Sequence, residues 1–286
     1  MGHGIAQIAA AAGCDVTVFE SSKAALDRGL GRIEHSLERI GQRAVDKGKQ
    51  TAAEAAEAQE QCRSRIRGTL KVEDLGPADL VIEAIVEDLD AKHALFEQLG
   101  RSCGPSTVFA SNTSSFPITA MAERSDRPKR LIGMHFFNPV QLMQLVEIIH
   151  TKDTEPDVLR AAADFVSRCG KTAVRCSDTP GFIVNRLLVP LMVQAMQMVD
   201  RGDAGAADVD AAMQLGCGHP MGPITLADYV GLDTTLAILE GWQERHPEEP
   251  AFAIPESLRA HVAAGNFGRK TGRGYYRWDG DRRADP

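Results

Sequence analysis

Two residues with ionisable side chains lie in or beside apolar runs, and ionisable groups in such surroundings need a chemical explanation. His135 follows the apolar run 131–134, and Glu147 lies inside a second one at 145–149. An imidazole can take a proton from an alcohol near neutral pH, whereas a carboxylate is costly to bury without a partner. The separation of twelve residues (147 − 135 = 12) lets one strand turn and return beside the other. We therefore expect a His–Glu pair whose carboxylate fixes the tautomer of a general base; the alternatives are an interstrand salt bridge and an edge position facing water.

Glycines and an acidic residue near the N-terminus have the spacing of part of a dinucleotide site. Gly2 and Gly4 begin a predicted helix, and Glu20 directly follows a β-branched and aromatic run at 16–19, a predicted strand. In dinucleotide folds a helix N-terminus faces the pyrophosphate, and an acidic residue about 20 positions on binds the ribose hydroxyls and repels a 2′-phosphate. In such a site this carboxylate would favour NAD over NADP. The alternatives are plain turn glycines and a solvated glutamate.

Composition narrows the classes of protein that could carry these groups. The chain has 286 residues, 43% hydrophobic and 25% charged, which favours two domains. Its formal net charge of −7 would repel the phosphates of a nucleic acid, so we expect no such partner. The sequence contains neither an uninterrupted apolar run long enough for a membrane span nor a cluster with metal-ligand spacing. We therefore expect no membrane partner and no metal.

Hydrophobic periodicity predicts the elements that would position the candidate groups. Residues 25–43 carry an apolar stripe typical of a long amphipathic helix, and 47–67 is typical of an exposed antiparallel partner. Together they predict a helical hairpin inserted at about 22–67. Short apolar runs, separated in places by helices near 91–99 and 157–167, predict a largely parallel sheet covered on both faces. The predicted strands are 16–19, 78–84, 107–110, 131–134 and 145–149.

The end of the chain differs from its beginning. Strand signals stop beyond residue 178, and helical patterns broken by Gly and Pro continue to about Gly265. We therefore predict an α/β domain at 1–178 and an all-helical domain at 179–286. The helical part carries more apolar surface than one small domain readily buries, which predicts a homodimer through this domain. The apolar residues concerned are Leu187, Leu188, Leu191, Met192, Met196 and Val199.

Segments along the whole chain resemble one known family. They include M-G-H-G-I-A-Q at 1–7, S-N-T-S-S at 111–115, H-F-F-N-P at 135–139 and D-T-P-G-F-I-V-N-R at 178–186. Further matching segments are 81–87, 145–149, 187–190, 201–203, 220–223, 228–233 and 267–272. In these segments and their order the sequence resembles the 3-hydroxyacyl-CoA dehydrogenase family.

The resemblance implies a fold, a reaction and catalytic residues. The implied fold is a Rossmann-type dinucleotide-binding α/β domain followed by an all-α domain. The implied reaction is the NAD-dependent oxidation of an L-3-hydroxyacyl-CoA to the 3-ketoacyl-CoA in fatty-acid β-oxidation. By the resemblance His135 is the general base and Glu147 its orienting carboxylate. Ser114 and Asn185 match the polar groups around the reacting oxygen; without the resemblance they would be a helix cap and a helix surface residue.

The resemblance also implies binding residues. On the long helix it places coenzyme A at Ser36 and Arg43, where the alternative is a solvated basic turn. Lys92, one of the implied cofactor contacts, would otherwise be an ordinary surface lysine. The implied contacts of NAD are Gly2, Glu20, Glu87, Lys92, Ser114, Asn138 and Lys270.

One departure from the family concerns the first strand. Gly2 matches the last glycine of the family's turn, so the central first strand would lie upstream of Met1. We expect a chain without that strand to be less stable and to bind NAD weakly, because a neighbouring strand loses its hydrogen-bond partner.

Two other functions stay open at this stage. One is a dehydrogenase for a hydroxy acid without coenzyme A, and the other is a non-catalytic dinucleotide-binding or structural protein, like the lens crystallins of this lineage. The expected compartment is the mitochondrial matrix for a eukaryotic source and the cytoplasm for a bacterial one.

Overall fold

Strands and helices alternate along the first part of the chain. In the computed structural model, which describes residues 1–284, the chain divides into a unit Met1–Phe182 and a second unit that begins at Ile183. The sequence placed this division between residues 178 and 179. The helices of the first unit are α1 (Gly2–Ala11), α2 (Lys23–Asp46), α3 (Ala52–Ser64), α4 (Leu89–Ser102), α5 (Ile118–Glu123) and α6 (Pro156–Arg168). Its strands are β1 (Val16–Phe19), β2 (Ile66–Thr69), β3 (Leu80–Glu83), β4 (Val108–Ser111), β5 (Leu131–Phe136), β6 (Leu145–His150) and β7 (Thr172–Ser177), and short 3₁₀ segments lie at Val72–Leu75 and Pro128–Arg130.

The strands of the first unit form two sheets. β1 pairs in parallel with β2, and the larger sheet has the order β3-β4-β5-β6-β7, antiparallel only between β5 and β6. The predicted, largely parallel sheet is confirmed. The two sheets are separate in the part of the chain that the structure describes, since no hydrogen-bonded ladder joins β1 or β2 to the five-stranded sheet. The sequence missed β2, which Arg67 and Gly68 interrupt, and the edge strand β7, where Thr172, Arg175 and Ser177 are exposed.

Helices cover both faces of the five-stranded sheet. Alternate side chains of a strand point to opposite faces, so Ile132 of β5 packs with α1 and α6 while Leu131 packs with α4 and α5. The first face also holds Ile5, Met134, Ile148, Val158 and Val166. The second also holds Phe96, Leu99, Phe109, Ile118 and Ile149. Burial on both faces explains why the strands are near-continuous apolar runs.

α2 and α3 form the predicted helical hairpin. α3 begins with a capping box, in which Thr51 accepts from the amide of Glu54 and Glu54 accepts from the amide of Thr51. Ile40 lies within the apolar stripe predicted at 25–43 but is 44% exposed, because its neighbour Gly41 is the residue that packs against α3. The buried apolar stripe of α2 is Leu26, Ile33 and Leu37.

Five helices build most of the second unit. They are α7 (Val184–Asp200), α8 (Ala206–Cys217), α9 (Pro223–Val230), α10 (Leu232–Arg245) and α11 (Glu256–Ala263), with 3₁₀ segments at Pro250–Phe252 and Arg269–Thr271. Their core surrounds the fully buried Trp242. Met192 and Met196, which the sequence assigned to a dimer surface, are buried in this core. That assignment is wrong for these two residues, because they lie on the inner face of α7.

The prediction of a helical second domain is confirmed, but a short antiparallel hairpin was missed. β8 (Arg277–Asp279) pairs with β9 (Arg282–Ala284), and each strand has only three residues, too few for a periodic pattern to signal it. Buried Asp228 holds this segment by accepting the amides of Tyr275 and Tyr276 and the indole N–H of Trp278, all at 2.9 Å. Tertiary hydrogen bonds therefore fix the hairpin, and local sequence does not reveal them.

A membrane span needs a long apolar helix. Over residues 1–284 the structure has no helix that is both long and apolar enough to cross a bilayer.

Candidate active site

His135 and Glu147 lie opposite each other on neighbouring strands. They are Cα partners in the antiparallel register of β5 and β6. Nδ1 of His135 lies 2.7 Å from Oε2 of Glu147, and the two residues are 7% and 0% exposed. The rings of Phe137 and Phe182 lie against the imidazole, with centroids 4.5 Å and 5.7 Å from its own. β6 is an interior strand between β5 and β7, so the edge position considered for Glu147 is wrong.

This arrangement defines what the imidazole can do. The carboxylate of Glu147 accepts a hydrogen bond from Nδ1–H of His135, which leaves the lone pair on Nε2. Nε2 can then take a proton, and the ionised carboxylate stabilises the imidazolium that results. The two phenyl rings of Phe137 and Phe182 exclude water from one side of the pair. The sequence did not identify Phe182, which lies 47 positions from His135 (182 − 135 = 47).

Ser114 lies in the loop after β4, beside the end of β5. β4 and β5 are parallel, so both strands end at the same edge of the sheet. Oδ1 of Asn112 accepts a hydrogen bond of 2.9 Å from the amide of Phe136, which ties this loop to the residue after His135. The side chain of Ser114 is exposed, and its amide donates to Oε1 of Glu87 at 3.0 Å. Ser114 and Glu87 are thus brought together at the edge that carries His135.

Lys92 is buried rather than on the surface. It is 1% exposed, and its Nζ lies 2.8 Å from Oε1 of Glu83 and 3.1 Å from Oε2 of Glu87. Burial alone would raise the pKa of Glu87, but the hydrogen bond from Thr113 and the charge of Lys92 lower it below its ordinary value. Sequence reasoning missed Glu83. Like Glu147, it is an acidic residue in an apolar strand, so the signal that identified Glu147 was present here too.

The start of α1 fits the phosphates of a dinucleotide. No side chain caps α1 and its first turn contains no acidic residue, so its positive end can face an anion. α1 is about 15 Å long and β1 about 13 Å, so a short turn brings Glu20 back to the end where Gly2 lies. Gly4 has another reason to be glycine, because a Cβ there would lie 2.9 Å from Cβ of Val140. Asn138 is exposed in the loop after β5.

Asn185 and Lys270 belong to the second unit. Asn185 is half-buried in the first turn of α7. Lys270 is exposed on the 3₁₀ segment Arg269–Thr271, and its Nζ lies 2.6 Å from Oδ2 of Asp233. Burial alone would raise the pKa of Asp233, but the hydrogen bond and the charge of Lys270 lower it below its ordinary value.

A basic cleft runs along α2. It has a volume of about 420 Å³, and the half-buried Ser36 is one of its lining residues. Arg43, the other predicted coenzyme A residue, is exposed near the end of α2 and does not line this cleft. The remaining lining residues are His3, Arg28, Gly31, Arg32, His35, Arg39 and Gln141. Sequence reasoning placed the basic group at the end of this helix, near Arg39 and Arg43, and did not extend it back along the helix, although the positions 28, 32, 35 and 39 have the spacing of one helix face.

A metal site needs several ligating side chains that converge on one point. No group of three or more His, Cys, Asp or Glu side chains is placed to hold a metal ion within the part of the chain that the structure describes.

Comparison with known proteins gives a consistent result along the whole chain. Residues 1–179 match the family model "3-hydroxyacyl-CoA dehydrogenase, NAD binding domain" and residues 181–278 match its C-terminal domain. The chain is 45% identical to the mitochondrial hydroxyacyl-coenzyme A dehydrogenase of Mus musculus, over 97% of this chain and 88% of that protein. It is 46% identical to a probable 3-hydroxybutyryl-CoA dehydrogenase of Deinococcus radiodurans, over 97% and 96%. The solved (S)-3-hydroxybutyryl-CoA dehydrogenase of Ralstonia eutropha superposes with a TM-score of 0.90 at 39% identity, over 98% and 95% of the two chains.

Proposed function

The chain belongs to the 3-hydroxyacyl-CoA dehydrogenase family, and from that membership we propose how its residues carry out the NAD-dependent oxidation of an L-3-hydroxyacyl-CoA. Nε2 of His135 takes the proton of the C3 hydroxyl as the C3–H bond breaks and the C3–O double bond forms. When bound, NAD would supply the acceptor for the hydride that leaves C3. The products are the 3-ketoacyl-CoA, NADH and a protonated His135. The observation that carries this proposal is the buried 2.7 Å contact between His135 and Glu147.

Glu147 acts through the imidazole. Its carboxylate holds Nδ1–H, which keeps Nε2 unprotonated before the reaction, and its negative charge stabilises the imidazolium afterwards. The low exposure of both side chains strengthens this interaction, because water does not screen it.

Two polar side chains bind the reacting oxygen in this proposal. The hydroxyl of Ser114 and the amide of Asn185 each hydrogen-bond the C3 oxygen as it changes from a hydroxyl to a carbonyl. The role of Ser114 is supported by the position of its loop beside the end of β5, the strand that carries His135.

The proposed contacts of the cofactor in the first unit lie where the parallel strands end. The pyrophosphate faces the start of α1 at Gly2, and Glu20 binds the adenine ribose, which favours NAD. Asn138, exposed in the loop after β5, contributes a further contact at this edge, and Lys270 of the second unit is kept as a proposed contact of the cofactor. Lys92 acts indirectly, since Glu83 and Glu87 enclose its ammonium group.

The basic cleft along α2 supplies the site for coenzyme A. Three of its lining residues are arginines, in a chain whose net charge is −7, so it is a local concentration of positive charge. Coenzyme A carries a diphosphate and a 3′-phosphate, and guanidinium groups bind phosphate with paired hydrogen bonds. Ser36 adds a hydroxyl within the same cleft.

Replacing Arg32 by Ala tests the coenzyme A site. We expect wild-type protein to oxidise L-3-hydroxybutyryl-CoA in preference to free L-3-hydroxybutyrate, and the variant to raise the KM for the thioester about tenfold, with kcat and NAD affinity nearly unchanged. Initial rates of NADH formation, measured over a range of substrate and NAD concentrations, give the preference between the two substrates and these kinetic constants. Arg168→Ala, an exposed arginine of α6 outside the cleft, is the matched control. Equal KM values in Arg32→Ala and wild type would contradict the site, and a preference for the free acid would contradict a coenzyme A substrate.

We also propose a homodimer through the second unit. Although Met192 and Met196 are internal, Leu187 of α7 is 70% exposed and Leu215 of α8 is 88% exposed. Tyr229 and Val230, at the end of α9, are also apolar and are 44% and 41% exposed. Exposed apolar side chains of this size are typical of a subunit interface.

Sedimentation tests the dimer. We expect wild type to sediment at twice the mass of one chain at micromolar concentration, and Leu187→Asp/Leu215→Asp to sediment as a monomer, because buried aspartates cannot pair across such an interface. Leu142→Asp, which changes a leucine of the first unit that is 62% exposed, should remain dimeric. A monomeric wild type would refute the proposal, as would a dimeric double variant.

The metabolic role and compartment complete the proposal. The reaction is the oxidation of the 3-hydroxyacyl thioester in fatty-acid β-oxidation. The compartment is the mitochondrial matrix in a eukaryote and the cytoplasm in a bacterium.

A further inference from the structure

A buried cluster of charged side chains lies where β3 and β4 end. Glu83 is the last residue of β3, Ser111 is the last residue of β4, and the two are Cα partners in the parallel register. The side chains of Glu83 and Lys92 are 0% and 1% exposed. Nζ of Lys92 lies 2.8 Å and 3.0 Å from the two oxygens of Glu83 and 3.1 Å from Oε2 of Glu87. Three carboxylate oxygens thus match the three donors of the ammonium group, and none is left for a ligand.

Glu87 connects this cluster to the loop after β4. Its Oε2 faces Lys92, whereas its Oε1 accepts the amides of Ser114 at 3.0 Å and Ser115 at 3.3 Å. The hydroxyls of Thr113 and Ser115 donate to the same oxygen at 2.5 Å and 2.9 Å. One carboxylate oxygen therefore holds three consecutive residues. Lys92, on the other oxygen of Glu87, adds a further contact that fixes this orientation.

A second connection runs through Ser111. Its hydroxyl donates to Oε1 of Glu83 and accepts the amide of Thr113 at 3.2 Å. Ser111 and Thr113 are 0% and 1% exposed, so no water competes for these bonds. Glu83 is consequently joined to the loop by Ser111 directly and by Lys92 and Glu87 indirectly.

We propose that Glu83 is a positioning residue for the reaction, which holds the loop 113–115 and through it the hydroxyl of Ser114. The inference rests on the proposed role of Ser114 at the C3 oxygen. A reacting group that is misplaced by about 1 Å can lose about 10²-fold in rate, so a buried residue without contact to substrate can matter this much. An ion pair that only stabilised the fold would leave the position of the loop and kcat unchanged.

The test is Glu83→Gln, which keeps the side-chain size and one acceptor oxygen but removes the charge. Lys92 is then attracted to Glu87 alone, and the carboxylate of Glu87 turns from the loop towards it. We expect faster deuterium uptake by a peptide covering 112–116, together with a kcat about 10- to 100-fold lower and a KM for the thioester within about twofold of wild type. Ser111→Ala breaks one of the two connections without changing charge, so it should shift both readouts in the same direction by less.

Thr107→Val is the matched control. Thr107 is 2% exposed at the opposite end of β4 and donates to the carbonyl of Ala78 at 2.8 Å, so its loss removes a buried hydrogen bond away from the loop. The inference is refuted if deuterium uptake at 112–116 in Glu83→Gln is no greater than in Thr107→Val. It is also refuted if the kcat of Glu83→Gln is no lower than that of Thr107→Val. If the wild type does not oxidise the thioester, the proposed function fails, whereas deuterium uptake still decides whether Glu83 holds the loop. A Glu83→Gln chain that does not fold leaves Ser111→Ala to decide on the same two readouts.

Discussion

Replacing His135 by Gln lowers kcat by about 10²- to 10⁴-fold and leaves the affinity for NAD nearly unchanged. Glutamine keeps a polar side chain in the pocket beside Glu147 but cannot take a proton from the hydroxyl of the substrate. Steady-state rates of NADH formation and an NAD titration followed by protein fluorescence measure the two effects.

A second histidine provides the control for this variant. His93 of α4 is also partly buried, and its Nε2 lies 2.9 Å from the carbonyl oxygen of Ala120. His93→Gln should keep nearly full activity, because that ring contacts only the protein. If His135→Gln retained more than about a tenth of the wild-type kcat, His135 could not be the general base.

The second large effect is expected for Glu147→Gln. The amide has the size of the carboxylate but no charge, so it neither stabilises the imidazolium nor specifies which imidazole nitrogen carries the proton. The pair is buried, so we expect kcat to fall by about 10²- to 10⁴-fold. The melting temperature should change little, since a neutral amide is less costly to bury than a carboxylate.

Asp210→Asn separates this effect from the loss of any buried carboxylate. Asp210 is 1% exposed and accepts the amides of Ile224 and Thr225 at 2.8 Å and 3.0 Å, so it stabilises the start of α9. Its amide variant should lower the melting temperature and keep kcat. Loss of kcat in Asp210→Asn but not in Glu147→Gln would reverse the assignment of these two carboxylates.

The sequence predicts the central strands and the His–Glu contact because both depend on local pattern. β4 and β5 are buried on both faces, so their residues are almost all apolar, and one polar residue in such a strand stands out. The register that brings His135 opposite Glu147 follows from the alternation of each strand and a return of twelve residues. The prediction of the His–Glu pair therefore needed no knowledge of distant contacts.

Other features depend on tertiary contacts that the sequence does not display. Lys92 resembles a surface lysine on an amphipathic helix, and only the positions of Glu83 and Glu87 show why it is buried. The basic cleft forms because α2 turns one face away from the core, which spacing alone can suggest but not distinguish from a solvated stripe. The hairpin β8–β9 depends on Asp228, which lies about fifty residues earlier in the chain.

The kcat of the double variant His135→Gln/Glu147→Gln tests the central claim most directly. If Glu147 acts only through the imidazole, removing the carboxylate has no further effect once the imidazole is gone. We therefore predict that the double variant has the kcat of His135→Gln within about threefold. A double variant whose loss equals the product of the two single losses would show that the two residues act independently, and would contradict the catalytic pair.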